Sequence, residues 1–230
     1  PPMTISNKSK GSLKDIKTPR KSSKLAEFIG IVLGDGNIHH YQRGKKVGTY
    51  MVRIAGDSNR DNQYLRGYVA NLMEELFELK AKFYKQKNAN ELMVIVHSRK
   101  LVDYCTRMGL KPGNKIANQT TIPEWIWEKK SFLRAVIRGL MDTDGSIYEL
   151  KSHWPGLFQI VFDNRNLTLV KDLHRAFASL GFIASKVTYI KPNKSYRVYL
   201  TRKDQIRKYY KDIGFSNPRK QAVLTRMTAP

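Results

Sequence analysis

The chain has 230 residues, enough for one large domain or two small ones with a real core. Lysine and arginine number 42 against 19 acidic residues, a net charge of +23. Self-repulsion of that size works against folding, so a polyanionic partner is the better explanation, nucleic acid ahead of an anionic membrane or an acidic protein.

Cys105 is the only cysteine, which excludes an intrachain disulfide and a zinc site of several cysteines; a reducing, intracellular location fits. No apolar run approaches the ~18 residues of a membrane span. Residues 1–24 are rich in lysine and serine without the apolar segment of a signal peptide, and read as a mobile basic arm.

"LAEFIGIVLGDGN" (25–37) opens the folded part, with a helix predicted over 25–36. Strands follow near 38–42 and 49–56, a helix near 60–79, strands near 81–87 and 91–97, and a helix near 99–108. The connector 118–131, "NQTTIPEWIWEKKS", is marked by Pro123, and Trp125 and Trp127 read as packing residues. "LRAVIRGLMDTDGS" (133–146) then predicts a helix over 134–145. Strands near 147–151 and 156–163, a helix near 166–180, strands near 185–191 and 195–201, and a helix near 203–212 complete the pattern.

The second series repeats the first. Gly30 lies over Gly139, Asp35 over Asp144, and Gly36 over Gly145, at a spacing of 109. "VRIAGDSNRD" answers "FQIVFDNRN", with Ile54 over Ile160 and Asp57 over Asp163 at a spacing of 106. Lys115 and Lys220 each stand six residues beyond a glycine, Gly109 and Gly214, at a spacing of 105. The expected organisation is therefore an arm over 1–24, halves over 25–117 and 132–230, and a linker over 118–131.

Helix-interior glycine costs roughly 1 kcal/mol relative to alanine, so Gly30 and Gly139 need a reason. Ala26, Gly30 and Gly34 fall at four-residue spacing, as do Ala135, Gly139 and Thr143. Small residues aligned on one face let two helix backbones approach closely. A crossing of Gly30 on Gly139 is expected; the alternative is two unrelated faces, each packing elsewhere.

Such a crossing would bring Asp35 and Asp144 together at helix C-terminal ends, where paired carboxylates are disfavoured without a cation. Magnesium prefers carboxylate and carbonyl oxygens, and the carbonyls of Gly34 and Thr143, free at a helix end, could join the aspartates. A metal between acids in so basic a chain suits phosphodiester chemistry. "LMDTDGSIYELK" fails as a calcium loop, having Leu140 and Lys151 where acids are needed. Asp142 matches Leu33 in the repeat, so a buried or capping role is expected for it. His39-His40 reads as a loop or strand pair, with metal ligation the lesser alternative.

"FIGIVLGDG" (28–36) and "IRGLMDTDG" (137–145), with the "TIPEW" connector, resemble the LAGLIDADG homing endonucleases in their single-chain form with two motifs. The resemblance covers roughly residues 25–225. It implies an α+β fold of tandem pseudo-two-fold αββαββα repeats, with the motif helices at the interface and two antiparallel four-stranded sheets forming a DNA-binding saddle. It also implies a site-specific double-strand endonuclease using Mg²⁺, with Mn²⁺ or Ca²⁺ able to substitute, that cuts a long, rare target across the minor groove to leave 3′ overhangs. Carried over residue by residue, it makes Asp35 and Asp144 the catalytic metal ligands and Lys115 and Lys220 the basic residues near each repeat's end. Some relatives carry a water-orienting Gln or Lys at the end of the second strand; Gly56-Asp57 and Phe162-Asp163 stand there, leaving that role unassigned.

The strands offer a reading surface independently of the family. Tyr50, Val52 and Ile54 make one apolar face and leave Arg53 on the other; Phe158, Ile160 and Phe162 leave Gln159. Lys82, Tyr84 and Gln86, Lys186 and Thr188, and Arg197 and Tyr199 complete the candidate DNA contacts. Any one of them alone could be a solvated surface residue. The partner expected is double-stranded DNA bound by a monomer, with its own intron RNA as a further partner if the chain is a maturase. The rival function is an RNA maturase or a non-cleaving DNA binder on the same fold; retention of both aspartates favours cleavage. A free-standing or intron-encoded enzyme is expected rather than an intein.

Overall fold

The computed structural model describes residues 15–41, 48–87, 89–150 and 156–228. Among the described residues, two four-stranded antiparallel sheets and seven α-helices are arranged as two similar halves. In the first half α1 (Ser23–Leu33) leads into β1 (Gly36–Tyr41) and β2 (Thr49–Asp57). A π-helical stretch, Tyr64–Val69, runs into α2 (Ala70–Phe77), followed by β3 (Lys82–Lys85), β4 (Glu91–His97) and α3 (Arg99–Arg107). A 3-10 turn over Glu124–Glu128 precedes α4 (Lys130–Thr143), which opens the second half. There β5 (Gly145–Glu149), β6 (Phe158–Asn164), α5 (Leu167–Ser179), β7 (Thr188–Ile190), β8 (Ser195–Leu200) and α6 (Lys203–Asp212) repeat the order. The strand orders are β1-β2-β4-β3 and β5-β6-β8-β7.

Both motif helices are core elements. Every residue of α1 from Leu25 to Leu33 is buried, all of them apolar or glycine except Glu27. Phe132, Leu133, Ala135, Val136, Ile137, Leu140 and Met141 bury most of α4. The two cross at their glycines: a methyl group on Gly30 would overlap the Val136 carbonyl oxygen, and one on Gly139 would overlap the Glu27 carbonyl oxygen. Backbone touches backbone at both points.

Each sheet turns one face to this core. Val52, Ile54, Val94 and Val96 are buried on the first, and Ile160, Phe162, Val198 and Leu200 on the second. Two-residue alternation leaves Arg53, Lys82 and Tyr84 on the opposite, exposed face of the first sheet, where Arg53 and Lys82 each sit opposite Ile95.

Several expectations are corrected. The helices end before the aspartates, so Asp35 and Asp144 stand in the turns and Gly36 and Gly145 begin strands. These glycines lie against the backbones of Val32 and Met141, leaving no room for a Cβ. The second-strand alignment shifts by two residues: Gly36 pairs with Ile54 and Gly145 with Phe162, a true spacing of 108 rather than 106. A seventh helix, α7 (Pro218–Thr228), adds to the expected elements; Pro218 opens it. Expected bounds at residues 42 and 151 lie outside the described residues, as do residues 1–14 of the arm. Residues 15–22 are docked rather than mobile: Ile16 packs on the core, Lys17 N–H bonds the Phe77 carbonyl at 3.1 Å, and the Tyr104 hydroxyl donates to the Pro19 carbonyl at 2.7 Å.

Alanine ordinarily improves a helix interior by about 1 kcal/mol over glycine. Here the sign should reverse, because the obstacle is a rigid main-chain carbonyl. Gly30→Ala or Gly139→Ala should destabilise by about 1–3 kcal/mol, and Gly139→Leu by more. Thermal melting checks this, and a raised melting temperature in either alanine variant would remove the close crossing.

Candidate active site

The crossing delivers Asp35 and Asp144 to one floor, close enough for each carboxyl to feel the other. Part of Asp35 is open to solvent, but protein crowds its carboxyl. That desolvation, with the negative charge of Asp144 added to it, pushes its pKa up to about 7. Burial likewise raises Asp144, against the pull of Lys115 and of a hydrogen bond from Asn164. The Asn164 side-chain amide donates to Asp144 Oδ2 at 2.7 Å.

Two lysines answer the two helix ends. Lys115 Nζ donates to the carbonyls of Leu33 at 3.0 Å and Val32 at 3.4 Å, and to that of Gly34. Lys220 Nζ lies within reach of the carbonyls of Met141 (2.9 Å), Asp142 (2.7 Å), Thr143 (3.0 Å) and Gly145 (2.6 Å). A helix C-terminus leaves unsatisfied carbonyls carrying partial negative charge, and an ammonium there compensates both deficits. Burial depresses both lysines, Lys220 to about 8. The carbonyls of Gly34 and Thr143 are therefore not free as expected: each already accepts a hydrogen bond from a lysine.

Asp142 has the capping role that the repeat pattern suggests. It is buried and accepts the backbone N–H groups of Ser216 (3.1 Å) and Asn217 (3.0 Å), just before α7. Asn217 is also held by Asp61, whose Oδ1 accepts its side-chain amide at 2.9 Å. Glu27, unsuspected from sequence, is buried between the halves. It accepts from Tyr68 (2.7 Å), Ser216 (2.6 Å) and Arg138 (3.1 Å). A charge inside an apolar helix is the signal that could have found it.

Sequence reasoning misses Asn164 through the two-residue alignment slip, which places Asp163 at the strand end. Asp163 instead pairs with Arg197, its Oδ2 lying 2.6 Å from the guanidinium, so Arg197 is less free for DNA than expected. Gln159 accepts from the Tyr148 hydroxyl at 3.0 Å. Thr188 lies opposite Arg197, and Tyr199 opposite Val161. Gln86 and Lys186 lie just outside strands and are exposed. His39 and His40 are strand residues of β1, and among the described residues no group of three His, Cys, Asp or Glu side chains could hold a metal. Trp125 packs edge-on against Phe132, in keeping with a structural role. No helix among the described residues is long and apolar enough to cross a membrane.

The geometry defines a class: a two-repeat α+β protein whose paired helix ends present one acid each. Residues 131–214 match the family model described as LAGLIDADG-like domain. The structure resembles that of I-DmoI in complex with DNA and Ca, with a TM-score of 0.65 and 19% identity, covering 89% of this chain and 97% of that one. It also resembles the meganuclease I-SmaMI bound to uncleaveable DNA, with a TM-score of 0.58 and 8% identity over 88% and 87% of the two chains. Among curated proteins it is 28% identical over 205 residues to the replication factor C small subunit of Methanocaldococcus jannaschii, covering 86% of this chain and 10% of that protein. It is 30% identical over 129 residues to an A-type ATP synthase subunit of Pyrococcus abyssi, covering 56% and 11%. The chain thus spans about a tenth of the length of these relatives. Residues 131–214 thus resemble a LAGLIDADG-like domain, and the two-half fold is the one seen in these solved structures.

The raised aspartate has a consequence for stability. A carboxyl that holds its proton more tightly when folded stabilises the fold fully below the unfolded pKa of 3.8, and that contribution is lost as pH rises through about 7. Without divalent metal, the melting temperature should fall as pH rises from about 4 to about 7, and fall less in Asp35→Asn. Melting curves in EDTA check this; parallel pH profiles would contradict it.

Proposed function

We propose that this protein is a site-specific double-strand DNA endonuclease dependent on a divalent cation. The observation that carries the reading is the pair of acids brought together by the helix crossing in a chain of net charge +23. Acids facing a polyanion gain nothing for binding alone. They make sense when a cation is to be held between them and phosphate.

The donor set fits magnesium through the hard carboxylate oxygens of Asp35 and Asp144, the neighbouring carbonyls of Gly34 and Thr143 being already engaged by lysines. The uncompensated pair also fits, since a carboxyl that keeps a proton near pH 7 lacks positive charge. Asp35 and Asp144 would hold the ion, and when bound it would activate water and stabilise the leaving oxygen of the phosphodiester. Mn²⁺ or Ca²⁺ could occupy the same oxygens. The lysines keep the helix ends assembled around that position, and Asn164 orients Asp144. In this reading the exposed sheet faces grip the duplex through Arg53, Lys82, Tyr84, Gln86, Gln159, Lys186, Thr188, Arg197 and Tyr199. The monomeric protein cuts across the minor groove and leaves 3′ overhangs. Segments similar to this chain, 28% and 30% identical, make up about a tenth of two longer proteins of different kinds, which supports a module carried within longer chains.

A randomised duplex library incubated with the protein and Mg²⁺ should yield a discrete cleaved subset, with cleavage lost in Asp35→Asn and in Asp144→Asn. Wild-type rates in either variant would overturn the catalytic assignment; tight binding with no cut would support a non-cleaving binder. In Ca²⁺, affinity should drop about 10³- to 10⁵-fold between 50 and 200 mM salt for some six to ten phosphate contacts. A flat response would mean the charge serves something other than DNA.

A further inference from the structure

An ion pair sits on the open face of the second sheet, away from the buried Phe162 and Val198. Asp163 on β6 stands directly opposite Arg197 on β8. At the spacing of 108 that the strand register sets, Asp163 corresponds to Ala55, and Ala55 faces Met93 across β2 and β4. The same place in the first sheet is thus filled without charge. The fold does not need this pair.

Stability does not account for it either. The Arg197 and Asp163 side chains are 30% and 31% exposed, a setting in which an ion pair contributes little. Asp163 Oδ2 accepts from Arg197 Nε at 3.0 Å and from Nη2 at 2.6 Å. Its other oxygen, Oδ1, is buried without a hydrogen-bond partner among the described residues, which costs stability. What the arrangement does achieve is a fixed guanidinium. One edge of the planar fork is clamped, while the donors on Nη1 and on the free side of Nη2 meet no acceptor among the described residues. Thr188, the neighbour of Arg197 on β7, is exposed and brings no second acid. A held fork of parallel N–H groups matches guanine, which shows the acceptors O6 and N7 in the major groove. Adenine would set its amino group against one of those donors. A phosphate contact needs no such clamp, because it carries no base information and tolerates many side-chain poses.

We propose that Arg197 reads a guanine of the target duplex and that Asp163 holds it in the reading pose. The proposal rests on the duplex-DNA partner of the endonuclease reading and adds a base identity to it. Arg197 touches the base, and Asp163 is a positioning residue that acts through Arg197. Asn164, the next residue on the same strand, bonds Asp144 at 2.7 Å, so the guanine lies in the part of its half-site nearest the cut.

The test sequences duplexes retained from a randomised library by full-length protein in Ca²⁺, and duplexes cut in Mg²⁺. Wild type should favour guanine over each other base by about 10- to 100-fold at one position beside the cut. Arg197→Ala should level that position to within about 2-fold and leave the preferences elsewhere in place. Asp163→Ala removes a negative charge from a surface facing DNA, so overall binding should hold or tighten. Its guanine preference at the same position should nonetheless drop by about 10-fold, which a merely structural acid would not cause. The double variant Asp163→Ala/Arg197→Met copies the Ala55 and Met93 pairing; it should melt near wild type and show the same levelled position. Uniform weakening by Arg197→Ala with no position levelled, and a salt slope reduced by about 1, would make Arg197 a phosphate contact and overturn the proposal. An unchanged guanine preference in Asp163→Ala would overturn the positioning role. Guanine-dependent binding without any cut would sink the endonuclease reading alone, and a discrete cut site indifferent to Arg197 would sink this proposal alone. If wild type retains no duplex, both fall.

Discussion

Everything at the reactive floor depends on two helix backbones touching without side chains between them. Gly30 against the Val136 carbonyl and Gly139 against the Glu27 carbonyl fix how far α1 and α4 can slide or separate. Because both helices end within a turn of that contact, the residues just beyond them, Asp35 and Asp144, have little freedom to part. Gly36 and Gly145 then turn the chain tightly back onto the same helices, so each sheet begins where the acid stands. A bulkier residue at any of these four places would move carboxylates, not merely loosen packing.

The charges around that contact form a balance built mostly from this chain. Two acids at two helix C-termini concentrate negative charge, and the ends of both helices are met by buried or half-buried ammonium groups, Lys115 and Lys220. What remains uncompensated is the carboxyl pair itself: desolvation first, and the charge of Asp144 second, push the pKa of Asp35 up to about 7. Glu27 and Asp142 carry a second buried set of charges, and both are satisfied by the segment leading into α7. That segment delivers Lys220, so the end of α4 and the last helix are held by one connected group of hydrogen bonds.

Much of this could be read in the amino-acid sequence, for reasons that also explain what could not. The glycine spacing, the repeat and the acids stand out because small residues inside apolar helices and acids in a basic chain are locally costly. β4, α6 and most other elements follow from plain alternation or a helical stripe. The two-residue slip in aligning β2 with β6 escapes notice because side chains alternate with a period of two. A shift of two leaves every apolar residue on the same face, and only hydrogen-bond register distinguishes the choices. Asn164 is hidden by that slip. The final helix α7 buries only Lys220 and Leu224, so it has almost no apolar stripe to reveal it. The lysine contacts are invisible because nothing in sequence says which ammonium will reach a helix end some 80 residues away.

Carbon-detected NMR titration of the Asp35 carboxyl, in wild type and in Asp144→Asn without divalent metal, tests the shared floor most directly. Asp35 should titrate near about 7 in wild type and clearly lower once the neighbouring charge is removed. An ordinary carboxylate value near 4 that is the same in both proteins would mean the two acids do not meet.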